Sequence, residues 1–309
     1  MFPEKIKAKH GKHRVVVDAR WGYARLDPLP SEKEIGEFYK KKYYALIKKG
    51  GRAPELRRQM GPEKERDLEK KWLQETLYKD INFFLGELSF LKGRRLIDVG
   101  CGTGQLIAGM RRLKWDVAGI EPFEDKNVMH AQGVSNIYTQ TLEEFIAAHP
   151  DLLGTYDVVT LMSVLEHLLD PIAELEKIRK LVRKDTGVVC VRVPNDFNPL
   201  QYHAQKKNRK APWWVAAPDH LNYFDTVSLP RILSRVGFEP LLVTTDFPME
   251  LFLLMGDDYV GDQRVGRECH RRRVNFELSV PGELRRGLYR SWAQMGLGRD
   301  VMVLARRVR

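Results

Sequence analysis

No apolar run in this 309-residue chain approaches the roughly 20 residues that span a bilayer, so no membrane insertion is expected. Its start, MFPEKIKAKHGKHR, is basic, but no apolar stretch follows, and it does not read as a secretory signal. Cysteine is scarce. Cys101, Cys190 and Cys269 stand alone, and their wide, uneven spacing fits neither a disulfide framework nor a zinc knuckle, which makes a reducing cytoplasm the expected home. Internal repeats and low-complexity tracts are lacking, as are the Arg/Gly repeats, zinc fingers and aromatic-rich signatures of RNA-binding chains. Hydrophobic residues still make up 43%, enough to build a core for one large domain, or for one domain with a substantial cap.

Acidic residues do not balance the basic ones, 41 Asp and Glu against 52 Lys and Arg. The formal balance of +11 is concentrated at the first residues, around Lys206 to Lys210, and in Arg264 to Arg273. Such charge raises the local concentration of anionic partners. We read it first as a solvated surface and second as a polyanion site.

The chain divides into zones. Residues 1 to about 92 read as mostly helical, an N-terminal segment and cap. Ser31 is a candidate N-cap for the run EKEIGEFYKKKYYALIKK, with Ile35, Phe38 and Tyr39 at helical spacing. A second helix, about Glu63 to Leu91, puts Leu68, Trp72, Leu73, Thr76, Leu77 and Ile81 on one stripe, with Gly50, Gly51 and Pro54 marking the junction before it. From residue 93 short apolar strands alternate with helices, the pattern of an α/β, mostly parallel sheet covered on both faces. The expected strands are 95–99, 116–120, 136–139, 156–162, 188–193, 240–246 and 300–307, with helices at 105–113, 142–148 and 171–182. The 93–309 domain carries an irregular, basic insertion at about 247–297.

The segment LIDVGCGTGQ (Leu96 to Gln105) turns from strand to helix through glycines, which permit a sharp turn and a close approach to a ligand. The helix that follows offers unpaired N–H groups. A glycine-rich loop alone could equally announce a dinucleotide. Two details shift the balance. Glu121 ends the next strand, where a carboxylate can take both hydroxyls of a ribose. The glycines follow G-x-G-x-G, without the longer G-x-G-x-x-G spacing.

This segment resembles motif I of the class I S-adenosylmethionine (SAM) dependent methyltransferases. The resemblance continues through IEP (120–122), YTQTLEEF (138–145), YDVVTLMSVLEHLLDP (156–171), GVVCVRVPN (187–195) and HLNYFDTVSLPRILSRVGFE (220–239). It implies a Rossmann-like fold with a seven-stranded sheet, and SAM as cofactor. It also assigns roles. Asp98 shapes the loop and orients the SAM amino group, and Gly100 and Gly102 give backbone contacts to the methionine portion, with Cys101 and Gly104 in the same loop. Glu121 binds the ribose diol, and Pro122 and Phe123 pack by the adenine. Thr141 and Leu142 meet the adenine edge, and Met162 and Ser163 line the sulfonium region. Cys101 reads as packing, not as a nucleophile. The lead-in LDPLPSEKEIGEFYKKKYY resembles methyltransferases of sugars and related metabolites, which makes Tyr43 and Tyr44 candidates to close over SAM. The cysteine-rich zinc module that often precedes this run in relatives is missing here.

Methyl transfer needs the two reactants held in line, and often a base for the acceptor's proton. His167 has a suitable unperturbed pKa near ~6.5. It lies with Glu166 just after the fourth strand, where ligand sites form in α/β sheets. In many relatives the same L-E-H-L element is a structural turn, so both roles stay open, and Glu166 reads as a positioning residue. Some ubiquinone-type O-methyltransferases hold a divalent metal with E-x-x-E-H. Ser163 replaces the first acid here, which leaves two ligands, and no metal is expected. His220, beside Asn222 and Tyr223, is the second candidate base, against a packed histidine. Trp213 and Trp214 read as loop anchors before pocket walls.

Two acceptor classes follow. The first is a small molecule, a hydroxyl of a sugar or similar metabolite. The second is RNA or protein, motivated by the charge and by Arg271, Arg272 and Arg273. Against it, MSVLEH lacks the N/D-P-P-Y/F of base-amino methyltransferases. A non-catalytic SAM-fold partner protein is a third reading, opposed by the intact Asp98, glycines and Glu121. Oligomeric state is not specified by the sequence.

Overall fold

The computed structural model describes residue 6 and residues 8–38, 62–122 and 136–308. Tyr39, Tyr43, Tyr44 and Phe123 lie outside the described residues.

The chain opens with strands, which corrects the mostly helical expectation for its first zone. β1 (Lys9–His10), β2 (His13–Val17) and β3 (Ala24–Asp27) form an antiparallel sheet, completed by β9 (Asn222–Tyr223) pairing with β3. Gly11, at φ +59°, makes the tight turn between β1 and β2. Helix α1 (Glu32–Phe38) then starts where expected. Ser31 Oγ accepts from Glu34 N–H and the Glu34 carboxylate accepts from Ser31 N–H, a reciprocal cap.

The second helix is real but not uniform. α2 (Glu63–Leu73) passes through a π-helical stretch at Gln74–Tyr78 into α3 (Lys79–Gly86). The wider turn rotates the buried stripe. Trp72, Thr76 and Ile81 face inward as expected, whereas Leu68 is 40% exposed and Tyr78, Phe84 and Leu85 join the core instead. Gly109 accommodates the Tyr78 ring; a Cβ there would sit 2.2 Å from Tyr78 Cδ2.

The main sheet contains β4 (Arg95–Val99), β5 (Asp116–Ile120), β6 (Ile137–Tyr138), β7 (Val158–Met162), β8 (Val188–Pro194), β10 (Phe238–Thr245) and β11 (Asp300–Arg307). Their order is β10-β11-β8-β7-β4-β5-β6, with β11 running antiparallel between β8 and β10. The Val/Ile/Leu-rich parallel strands are buried on both faces, as crossover helices require. One face packs Ile97, Val159, Val191 and Val303 against α6 (Pro171–Leu181) and α8 (Ser228–Arg235). The other packs Leu96, Val158, Cys190 and Leu304 against α3 and α4 (Gln105–Arg112). Strand order reverses between β4 and β7, the switch point where α/β sheets open a crevice.

The segment expected to be irregular is helical: α9 (Glu250–Met255), α10 (Gln263–Ser279) and α11 (Gly282–Gln294). Its periodicity is hidden because charged residues occupy buried positions. Glu277 accepts from Trp72 Nε1 at 2.6 Å and from Arg273 Nε at 3.1 Å, while Arg273 also donates to Asp246 at 2.9 Å. Arg285 donates to Asp80 at 3.0 Å. Paired in this way, the ions dock the insertion onto α2 and α3.

Candidate active site

The crevice is built first by the loop after β4. Gly100, Gly102 and Gly104 all take positive φ, +72°, +50° and +75°, a run that side chains oppose. Gly100 and Cys101 N–H both donate to Ile120 O, at 2.8 and 3.1 Å, which ties the loop to the end of β5. The Gly100 amide is therefore committed to the fold. Gly102 N–H donates to Glu121 Oε2 at 2.9 Å. A Cβ on Gly102 would meet nothing within 4 Å, so open space lies before the loop tip. Asp98, 2% exposed, accepts from Thr160 Oγ1 at 2.6 Å. Burial pushes its carboxyl up to about 7; the Thr160 bond opposes that rise, and the Glu121 charge adds to it. An open cradle of backbone flanked by two carboxylates fits a ligand with a ribose diol and a cationic amino acid end.

Cys101 is buried, and its Sγ would lie 2.6 Å from a Cβ on Gly119. Burial first, then the charges of Asp98 and Glu121, push the thiol far above its ordinary range. It packs. Thr141 caps α5 (Leu142–Ala148) in a reciprocal box with Glu144, and the Leu142 side chain belongs to the core. Thr141 is exposed, and the Leu142 side chain is not available to a ligand. Pro122 is exposed beside Glu121. Met162 is half-buried, and Ser163 is exposed at φ +57° with its N–H on Arg192 O at 2.8 Å.

After β7 the chain makes a 3₁₀ turn at Leu165–His167. Two loops distant in sequence are stitched together there. Leu221 N–H donates to Glu166 O at 2.7 Å, and Asn222 Nδ2 donates to Leu165 O at 2.9 Å and Leu168 O at 2.6 Å. Tyr223 Oη donates to His220 O at 3.1 Å. Leu221 and Asn222 thus hold the turn, Tyr223 braces the loop that carries His220, and His167 and His220 meet edge to face with ring centroids 5.0 Å apart.

His167 Nδ1 lies 2.9 Å from Asp219 O and 3.2 Å from Asp219 Oδ1, and its Nε2 lies 3.8 Å from Glu166 Oε1. Burial alone would pull the imidazole pKa down. The Asp219 hydrogen bond and the Glu166 and Asp219 charges outweigh it and set it at about 9. Glu166, 1% exposed, is pushed up to about 7 by burial, which the adjacent His167 only partly offsets. Glu166, His167 and His220 each place one donor atom within 4.8 Å of the others. Sequence had left two metal-type donors after Ser163; His220 makes a third. Asp219 escaped the sequence reading, although it directly precedes a singled-out histidine. Trp213 and Trp214 contact each other at 4.8 Å, and Trp214 packs on Phe197 in the core under the small sheet, an anchoring arrangement.

The family model described as "Methyltransferase domain" matches residues 70–243, more than half of the chain. The ubiquinone biosynthesis O-methyltransferase of Vibrio cholerae is 39% identical over 110 residues, 33% of this chain and 43% of that protein. That of Cereibacter sphaeroides is 37% identical over 159 residues, 48% of this chain and 62% of that protein. The chain thus spans less than two thirds of the length of these curated relatives. The solved 1,6-didemethyltoxoflavin-N1-methyltransferase of Burkholderia thailandensis, with S-adenosylhomocysteine bound, superposes with a TM-score of 0.50 at 14% identity, covering 97% of this chain and all of that one, a likeness of fold. Motif, sheet order, crevice and family match agree: the chain belongs to the class I SAM-dependent methyltransferases.

Proposed function

We propose that this methyltransferase acts on a hydroxyl of a small molecule, a sugar or similar metabolite, with His167 as proton acceptor. The observation that carries the reading is the contact of half-buried His167 with buried Asp219 in the turn after β7. SAM, when bound, supplies an electrophilic methyl group. Asp98 and the 100–104 loop hold its amino acid end, Glu121 its ribose, and the main chain of Thr141 and Leu142 the adenine edge. Met162 and Ser163 line the side facing the acceptor. In its neutral form, which predominates above the pKa of about 9, His167 takes the hydroxyl proton through Nε2. A positioned general base contributes ~10²–10⁴-fold. His220 and Glu166 wall the same space.

The curated relatives methylate oxygen by name, which favours a hydroxyl acceptor over an amine. The macromolecular alternative loses much of its motive. Arg273 is buried on Asp246 and Glu277, Arg272 pairs with Asp257, Arg271 with Glu268 and Lys210 with Asp258. The test is a screen with radiolabelled SAM against a metabolite extract, with and without nuclease. Label in small hydroxylated products that survives nuclease supports the reading. Label confined to nuclease- or protease-sensitive material overturns it.

A further inference from the structure

We infer that Asp219 is the positioning residue for His167, fixing the imidazole with its proton on Nδ1. This rests on the reading of His167 as proton acceptor. Nδ1 faces two acceptors of one residue, the Asp219 main-chain carbonyl at 2.9 Å and its carboxylate at 3.2 Å. A nitrogen placed against two acceptors must carry hydrogen. In the neutral ring the other nitrogen then holds the lone pair. Nε2 lies 3.8 Å from Glu166 Oε1, beyond hydrogen-bond distance, so that lone pair is not engaged by Glu166.

The scaffold holds both partners. Asp219 is 4% exposed, its N–H donates to Ala216 O at 2.9 Å, and Leu221 N–H grips Glu166 O on the far side of the His167 turn. Asn222 closes both ends of that turn. These bonds hold the two main chains that carry the carboxylate and the ring against each other. A carboxylate so placed also stabilises the imidazolium that forms when the proton arrives, the part played by the buried acid in hydrolytic triads. Glu166, the other carboxylate paired with this ring among the described residues, approaches the Nε2 side.

Long-range ¹H–¹⁵N correlation on ¹⁵N-histidine protein reads the tautomer and midpoint of His167 directly, with His167→Gln giving the assignment. The charges facing the ring are Glu166 from its own turn, and Asp219 and His220 from the neighbouring loop. In the wild-type protein, neutral His167 is expected to be protonated on Nδ1. In Asp219→Asn its proton affinity falls at least tenfold. Turnover follows a distinctive course in that variant: the acid limb of the kcat profile moves to lower pH while the alkaline plateau drops at least ~10-fold, part of the ~10²–10⁴ that the base itself contributes. SAM affinity by calorimetry stays within twofold, and Asp219→Glu recovers part of the plateau. A neutral wild-type ring protonated on Nε2 overturns the inference, and so does an unchanged midpoint in Asp219→Asn. The wild-type tautomer decides the matter even if the variant does not fold. The readout requires no methyl acceptor, so its failure is distinguishable from failure of the metabolite screen.

Discussion

Glu121 Oε2 accepts the Gly102 amide hydrogen at 2.9 Å, so the carboxylate assigned to the ribose is already held at the tip of the glycine loop. One group both braces the loop and waits for the ligand. Glu121→Ala removes a charged hydrogen-bond partner, an interaction of about 1.5–3 kcal/mol. SAM affinity should fall about 10- to 100-fold by isothermal titration, with turnover at saturating SAM much less affected. Unchanged affinity would remove Glu121 from the cofactor site.

Asp98 gives the site a pH dependence. Its folded pKa of about 7 lies above the ordinary 3.8, so its contribution to stability is fully present below about pH 4 and is lost as pH rises through 7. A cationic amino group prefers the ionised form. SAM binding should therefore release a proton near neutrality, weaken about tenfold per pH unit below 7, and level off above it. Calorimetry in buffers of different ionisation enthalpy reads the proton directly. Asp98→Asn should abolish the dependence and melt later than wild type at pH 8.

Gly119 and Cys101 are a matched pair. A Cβ at 119 would meet Ile107 Cδ1 at 2.4 Å and Cys101 Sγ at 2.6 Å. Gly119→Ala should destabilise by about 1–3 kcal/mol in urea melts, and Cys101→Ala should recover part of that loss. Alone, Cys101→Ala should retain turnover, since a thiol pushed so far up is not a nucleophile. Loss of turnover with SAM affinity intact would contradict the packing role.

Glu277 is the keystone of the insertion. Glu277→Ala strands Trp72 Nε1, leaves buried Arg273 with Asp246 alone, and should cost about 3–5 kcal/mol. Denaturant unfolding measures the loss, and protease cleavage within 250–294 should accelerate. Arg271→Ala, exposed on the same helix, should change neither.

The cofactor side of the crevice was legible because its logic is local. Asp98, three glycines and Glu121 lie within one strand–loop–helix–strand unit, and each residue type is dictated by backbone geometry or by the ligand. The acceptor side was only half legible. His167 and His220 announced themselves as residue types, but Asp219 and Asn222 act across more than fifty residues, and no periodicity encodes that distance. Stretches that misled did so for stated reasons. β1 to β3 are short and find their last partner at 222–223. Beside exposed Leu68 the buried position goes to Glu69, a charged residue paired with His270. In α10, buried Arg273 and Glu277 read as surface because their pairing is tertiary.

Thr245 and Val301 are ladder partners, so the two ends of the 247–297 segment leave and re-enter the sheet about one strand spacing apart. Topologically, β10 and β11 are a hairpin whose turn has been swollen into a helical module. A module spliced in at one tight hinge can be exchanged for another without altering a single strand register. The loops after β4 and β7, which leave the sheet from other strands, would keep their geometry through such an exchange.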